Sequence, residues 1–492
     1  MVRLSTGVEG LDEVLSGGLL AGRVYMVRGQ PGAGKTTLGM QFLLEGARAG
    51  ESVLFVTLSE SEAELRENAE LHRWDLAGVK FLDIHASSEG MTSGAPYSIF
   101  HPADVELTPI SRRVLDAIDQ LRPSRVVFDS LTQIRLLSRE SLRYRREMLS
   151  LKTHLHERGI TAFFLSDDNY REQDPEIESI VHGIISLSLS KGQEGTARRF
   201  IEVKKFRGSA FREGDHPLRL ELGGLTVFPR LIAVAHGQAF ERVTQSTGIA
   251  GLDAMLHGGF DRGTSTLITG NAGVGKTSVG MSVMAQAGAE GLRCAFYAFD
   301  EGPAEITYRS ESIGMNLQAL VDKDLLCIRK VNPLLLYPDE FARWIRVEVE
   351  QRGTRVVMID SLNGYNQSMP DEKSLGRHMH QLIGYLNRMG VTTILINEVS
   401  SLVGDFSATQ FGISYLADSV LILRYYEYAG AIHRAIGTLK KRLSGHESTL
   451  RSFHVSEQGL VVGEPLPKLR GILRGEAIWS DSAVASGDDL DA

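Results

Sequence analysis

Cysteine is almost absent from this sequence. Cys294 and Cys327 are the only two among 492 residues, and each sits inside an apolar run, "RCAFYAF" and "LLCIRK". Neither spacing suits a metal site, and a disulfide scaffold needs more cysteines, so both read as reduced, buried thiols. Positive charge is not in excess either. The formal net charge is -8 at pH 7, whereas a dedicated nucleic-acid binder carries a basic face. No stretch approaches the ~20 uninterrupted apolar residues of a membrane span. The opening residues, "MVRLSTGVEGLDEV", lack the apolar core of a signal peptide. A cytoplasmic protein is therefore expected. What is present is an ordinary globular mixture, 42% apolar and 23% charged, in a chain too long for one core, so two or more domains are expected.

The chain repeats itself. "STGVEGLDEVLSGGLLAGRVYMVRGQPGAGKTT" from Ser5 aligns without a gap with "STGIAGLDAMLHGGFDRGTSTLITGNAGVGKTS" from Ser246. The period is far longer than that of a solenoid, which indicates a duplicated domain.

Each half alternates strand-like and helix-like segments. In the first half these are "RVYMVRG", a helix closed by Gly50, "SVLFVTLS", an acidic helix over Ser61 to Asp75, "KFLDIH", a helix near Thr108 to Leu121, "RVVFDSL", a basic helix around Glu140 to Glu157, and "TAFFLSDD". The last three segments, "IISLSLS", "RRFIEVKKFRG" and "LRLELGG", are strand-like and joined by turns. The expected fold class is α/β: two tandem P-loop domains, each with a mainly parallel central sheet, helices on both faces and antiparallel edge strands. The expected boundaries are 1–228 for the first domain, 229–242 for a linker and 243–470 for the second domain. The acidic tail, 471–492, is expected to be flexible.

Both halves satisfy G-x-x-x-x-G-K-[ST]. Gly29, Gly34, Lys35 and Thr36 fill it in the first half, and Gly270, Gly275, Lys276 and Thr277 in the second; with Gly32, Ala33 and Thr37, and Gly273, Val274 and Ser278, they are the expected nucleotide-binding residues of the loops. Glycines let backbone N–H groups curl around phosphate oxygens, and the helix that follows offers its positive end. Lys35 and Lys276 are expected on the β- and γ-phosphates, and Thr36 and Thr277 on Mg2+. A phosphate loop also needs a metal-side carboxylate at a strand end, which "RVVFDS" and "RVVMIDS" supply as Asp129 and Asp360. Hydrolysis needs a further carboxylate to orient the attacking water. Asp300 and Glu301 stand at the expected strand end in the second half. The first half has Ser59 and Glu60, so Glu60 is the only candidate of that pair. An acidic helix start is the competing reading of Glu60.

Two such cassettes, each opening S-T-G-x-x-G-L-D and running to a K-x-R strand, resemble the KaiC family of circadian-clock ATPases and autokinases. The resemblance spans roughly Leu4 to Gly463, with "IDSL" and "RSFHVSEQGL" among its specific points. It implies tandem RecA-like domains and a double-ring homohexamer with Mg2+ and ATP between neighbouring subunits. It implies that Lys205 and Arg207 of one half, and Lys440, Arg442 and His446 of the other, reach the nucleotide of the adjacent subunit. It also implies phosphorylation at Ser414, with Thr409 as a second site, and a KaiB-like or signalling protein on a ring face. The chain departs from the family pattern at Ser59 and Asp300, where the family has Glu, and at Tyr415, where it has Thr. Those departures point to hydrolysis mainly in the second half. Two other readings stay open. One is a nucleotide-gated signalling scaffold with negligible turnover. The other is a DNA-dependent ATPase of the RecA or helicase type, supported by the basic helix with Arg139, Arg143, Arg145 and Arg146 but opposed by the net charge.

Overall fold

The computed structural model describes residues 2–84, 102–137, 141–168, 175–191, 197–369, 372–399, 415–472 and 478–479. The chain divides into two compact units, Met1–Arg230 and Leu231–Ala492.

The first unit is built on a nine-stranded sheet. Its strands, in chain order, are β1 (Val24–Gly29), β2 (Val53–Thr57), β3 (Val79–Asp83), β4 (Arg125–Asp129), β5 (Thr161–Asp167), β6 (Gly183–Lys191), β7 (Ala197–Phe206), β8 (His216–Glu221) and β9 (Gly224–Val227). Their spatial order is β9-β8-β7-β6-β1-β5-β4-β2-β3. Strands β1 to β6 pair in parallel, and β7 to β9 follow as antiparallel hairpins. The central strands are apolar on both faces because both faces are covered. Val24 and Met26 join one core layer, while Tyr25 and Val27 join the other.

The second unit repeats the plan with β10 (Ser265–Gly270), β11 (Cys294–Ala298), β12 (Leu326–Lys330), β13 (Val356–Asp360), β14 (Thr392–Glu398), β15 (Ser419–Tyr428), β16 (Ala431–Lys441), β17 (Arg451–Ser456) and β18 (Gly459–Pro465). The order is β12-β11-β13-β14-β10-β15-β16-β17-β18. In both units the phosphate-loop strand lies in the middle, flanked on each side by a parallel neighbour. The same RecA-like architecture is thus present twice in one chain, in tandem.

The shared S-T-G-x-x-G-L-D opening has a structural job. The Asp253 carboxylate accepts hydrogen bonds from the Thr247 backbone N–H at 2.8 Å and its hydroxyl at 2.6 Å, and from Ser246 at 2.6 Å. Asp12 accepts from the Thr6 N–H at 2.9 Å. The glycine between them has positive φ and lies against the helix after the phosphate loop; a Cβ on Gly7 would meet the Gln41 carbonyl at 2.7 Å. The motif therefore seats the segment on the helix that follows the loop.

Three details differ from the sequence expectation. The "IISLSLS" segment is β6, which pairs in parallel with the phosphate-loop strand and so precedes the antiparallel set. The acidic helix covers only Glu62–Leu71, and Arg73 with φ 58 turns the chain away. Residues 231–242, within the expected linker, pack on the second unit. Ala233 N–H donates to Gln381 at 3.0 Å, Gln238 donates to the Met389 carbonyl at 2.6 Å, and His236 stands edge-on to Tyr385. Among the described residues, no helix is long and apolar enough to cross a membrane.

Candidate functional site

In each unit the strand β1 or β10 runs into its loop and then into a helix, α1 (Lys35–Arg48) or α2 (Lys276–Ala289). Gly34 and Gly275 cap these helices with φ of 106 and 108. An L side chain rarely adopts that conformation, so the second glycine of each motif is required by the backbone. Without it the first-turn N–H groups could not face the loop.

Both motif lysines are buried within their own loops. Lys35 donates to the carbonyls of Gly29 at 2.8 Å and Gln30 at 3.1 Å, and pairs with Asp167 at 2.9 Å. Lys276 donates to the Asn271 carbonyl at 2.7 Å, and burial pulls it below the usual lysine range against the opposing fields of Glu398 and Asp360. Asp167 and Glu398 end β5 and β14 in register with Gly29 and Gly270. Sequence reasoning passed over this pair. The signal was present as acidic strand ends at matching places in "FFLSDD" and "ILINEV".

The threonine and aspartate expected to act together meet in both units. Thr36 donates its hydroxyl to Asp129 at 2.7 Å, and Thr277 donates to Asp360 at 2.6 Å. Burial pushes both carboxyls up to about 6, although the threonine hydroxyl opposes the rise. Burial outweighs the nearby positive charges, Lys35 beside Asp129, and Lys276 and Arg309 beside Asp360. A hydroxyl and a carboxylate oxygen side by side suit a small, hard divalent cation. The donor set therefore fits Mg2+ at both places.

In the second unit a cavity of about 390 Å³ opens beside the loop. Gly273, Gly275, Lys276, Thr277 and Ser278 form one wall, and Phe296, Ala298, Ile306 and Ile396 give it apolar sides. Asp300, Glu301, Asp360, Glu398 and Arg309 bring charge to it. Gly273 and Gly275 thus share one space with Lys276, Asp300, Glu301 and Asp360, all expected at the site from the sequence. Val274, at the turn, buries its side chain in the core.

The candidate water-orienting carboxylates are arranged differently in the two units. Glu60 is half-buried, and its Oε2 is enclosed with no hydrogen-bond partner among the described residues. Burial, then the field of Glu64, raises its pKa, and Glu60 in turn raises Asp129. Ser59 only donates to the Asp129 carbonyl, at 3.4 Å. In the second unit the acidic neighbour that raises Asp360 is Asp300, which also accepts from Ser361 at 3.5 Å. Glu301, the register equivalent of Glu60, is paired with Arg309 instead. The first unit has Asn68 at the corresponding place. Arg309 gave no periodic signal in the sequence, only this difference between the repeats.

The basic pairs of the K-x-R strands lie elsewhere. Lys440, Arg442 and His446 do not line the second-unit cavity. Lys440 donates to the Ala417 carbonyl at 2.7 Å, and Arg442 donates to the Tyr415 carbonyl at 3.0 Å. In the first unit Lys205 donates to the Glu178 carbonyl and Arg207 is exposed. Burial and the adjacent arginine lower both lysines. Ser414 and Thr409 lie outside the described residues; Tyr415 is described and exposed. Arg139 is likewise outside them. The rest of the basic helix buries Tyr144, Met148, Leu151 and Leu155 in the core.

Comparison with known proteins agrees with the geometry. The family model described as "ATPase: KaiC" matches residues 4–232 and 245–466. The circadian clock oscillator protein KaiC of Synechococcus elongatus is 28% identical over 486 residues, covering 96% of this chain and 92% of that protein. The protein of the same name from Acaryochloris marina is 26% identical, covering 96% and 91%. Circadian clock protein KaiC3 of Synechocystis is 27% identical, covering 97% and 95%.

Proposed function

Because the chain belongs to the KaiC family of ATPases, we propose that each of its two units binds Mg2+ and ATP, that hydrolysis follows at least in one of them, and that the working form is a double-ring hexamer. The observation that carries this reading is the hydrogen bond from Thr36 to Asp129 and from Thr277 to Asp360, repeated at the foot of both loops. Thr36, Asp129, Thr277 and Asp360 would hold the metal. Magnesium, when bound, would neutralise charge on the phosphate oxygens.

The protein's own residues do the rest. The loop N–H groups and the helix end hold the phosphates. Lys35 and Lys276 leave their loop carbonyls for the β- and γ-phosphate oxygens. Glu60 in one unit, and Asp300 with Glu301 in the other, orient a water and accept its proton as its oxygen bonds to the γ-phosphorus and the bridging P–O bond breaks. Lys205, Arg207, Lys440, Arg442 and His446 serve the neighbouring subunit's nucleotide. In support, the second-unit group does not line the cavity of its own chain.

Serine autophosphorylation at Ser414 extends this reading. It is favoured by the hydrogen bonds from Arg442 and Lys440 to the carbonyls of Tyr415 and Ala417, which tie the basic strand to the segment just after Ser414. A KaiB-like or signalling protein on a ring face is part of the same proposal. A scaffold with negligible turnover is the second reading, and the pairing of Glu301 with Arg309 favours it for the second unit. Steady-state phosphate release separates the two. Turnover in the intact chain that disappears in Lys35→Ala/Lys276→Ala supports the enzyme, and nucleotide binding without turnover supports the scaffold.

A further inference from the structure

Arg309 is a charged member of the second-unit cavity whose place in the first unit is taken by a neutral residue, Asn68, and which lies outside the phosphate-loop motif. It stands two turns into the helix Pro303–Glu311, on the side that faces the cavity. Its Nη1 is paired with Glu301. Its Nε and Nη2 are enclosed from solvent and have no acceptor among the described residues. A guanidinium is a rigid fork of five donors and cannot shed its charge. Enclosed donors of that kind call for an anion, and the cavity they line is the one that holds Lys276 and Thr277.

The two units provide an internal comparison. Glu60 and Glu301 occupy the same place after equivalent strands. Glu60 has an exposed Asn68 two turns along the helix and lies near Asp129. Glu301 has Arg309 there and is drawn to it. The Asn68/Arg309 difference between the repeats thus supplies both the partner of Glu301 and the surplus donors.

We infer that Arg309 is a phosphate-binding residue of the second unit, supplied by the same chain that carries the loop, which holds Glu301 through Nη1 and presents Nε and Nη2 to the terminal phosphate of a nucleoside triphosphate. It fixes the Glu301 carboxylate relative to that phosphate. It gives the second site a preference for triphosphate over diphosphate that the first site lacks. This rests on the nucleotide-binding reading of the second loop.

The test uses the full chain carrying Lys35→Ala, so that binding reports on the second unit. A non-hydrolysable ATP analogue and ADP are titrated separately with Mg2+ by calorimetry. Arg309→Asn, which installs the first unit's residue, is expected to weaken the triphosphate analogue about tenfold, the order of one charge-assisted hydrogen bond, and ADP less than about twofold. Arg309→Lys is expected to recover part of the loss, because it keeps the charge but not the fork. Equal weakening of both nucleotides would show a merely structural role and overturn the inference. Unchanged triphosphate affinity would overturn it while leaving the nucleotide site intact. No binding of either nucleotide to the Lys35→Ala chain would overturn the nucleotide-binding reading itself, and this inference with it.

Discussion

Thr277 donates its hydroxyl hydrogen to Asp360 across 2.6 Å, joining the first turn of the loop helix to the end of a strand two places away in the sheet. Thr36 and Asp129 do the same at 2.7 Å. The contact brings together residues 83 positions apart in one unit and 93 in the other. It turns two separate sequence motifs into one site.

Burial makes the aspartates in these pairs a cost to the fold at neutral pH. Their carboxyls titrate at about 6 in the folded chain, against an ordinary value of 3.8. Between those values the folded chain holds more protons than the unfolded one, so stability falls as pH rises through the window, and the cost is complete above it. Asp360→Asn is therefore expected to stabilise the chain at pH 7.5, by at most about 3 kcal/mol, and by much less at pH 4.5. The same change is expected to abolish Mg2+-dependent nucleotide binding in the second unit. Denaturant unfolding at the two pH values checks the sign. A loss of stability at pH 7.5 would show that the carboxylate is a net support.

Much of this site was legible in the sequence, for a physical reason. A phosphate loop is local: its glycines, lysine and threonine lie within nine residues, because one turn must wrap one phosphate. The strand-end aspartates were legible because a buried strand is a short apolar run that stops at a charge. Arg309 was not legible, since its partner Glu301 lies eight residues back and before the helix begins, a spacing no amphipathic period marks. The place of β6 was hidden for a similar reason. "IISLSLS" alternates as a half-exposed antiparallel strand would, yet Ile185 and Leu187 share a core layer with Leu38 and Phe42 of α1, and β6 pairs in parallel with β1. The early end of the acidic helix was also hidden, because Arg73 turns the chain without a glycine.

Glu60 gives the first unit a candidate for orienting water despite Ser59. In a Lys276→Ala chain, whose remaining turnover comes from the first unit, Glu60→Gln is expected to slow phosphate release about a hundredfold, the usual scale of general-base loss. Nucleotide affinity should be little changed. Turnover that survives the change would assign Glu60 to the solvated acidic helix start instead.

Completion of the sites by a neighbouring subunit predicts complementation. With the first unit silenced by Lys35→Ala, chains carrying Lys276→Ala and chains carrying Arg442→Ala should each be inactive. A 1:1 mixture should recover about a quarter of the second-unit turnover, the share of interfaces in a mixed ring that pair an intact loop with an intact arginine. No recovery in rings verified as mixed would contradict the arrangement.

If the second unit phosphorylates its own chain, Ser414 is the acceptor. The accepting hydroxyl must come in line with the γ-phosphate near ~3 Å, and a serine oxygen one bond beyond Cβ is placed differently from the Tyr415 oxygen across its ring. Phosphopeptide mapping after incubation with ATP should show phosphate lost in Ser414→Ala and kept in Tyr415→Phe, with Thr409 at most a minor site. Phosphate on Tyr415 would contradict this.

The central claim is that one chain carries two independent nucleotide sites. Counting nucleotide bound per chain after gel filtration in Mg2+ and ATP tests it most directly. The account predicts about two in the intact protein, about one in Lys35→Ala, about one in Lys276→Ala and none in the double variant, since each loop lysine serves only its own phosphates. A single nucleotide per intact chain, lost in one variant and kept in the other, would contradict it.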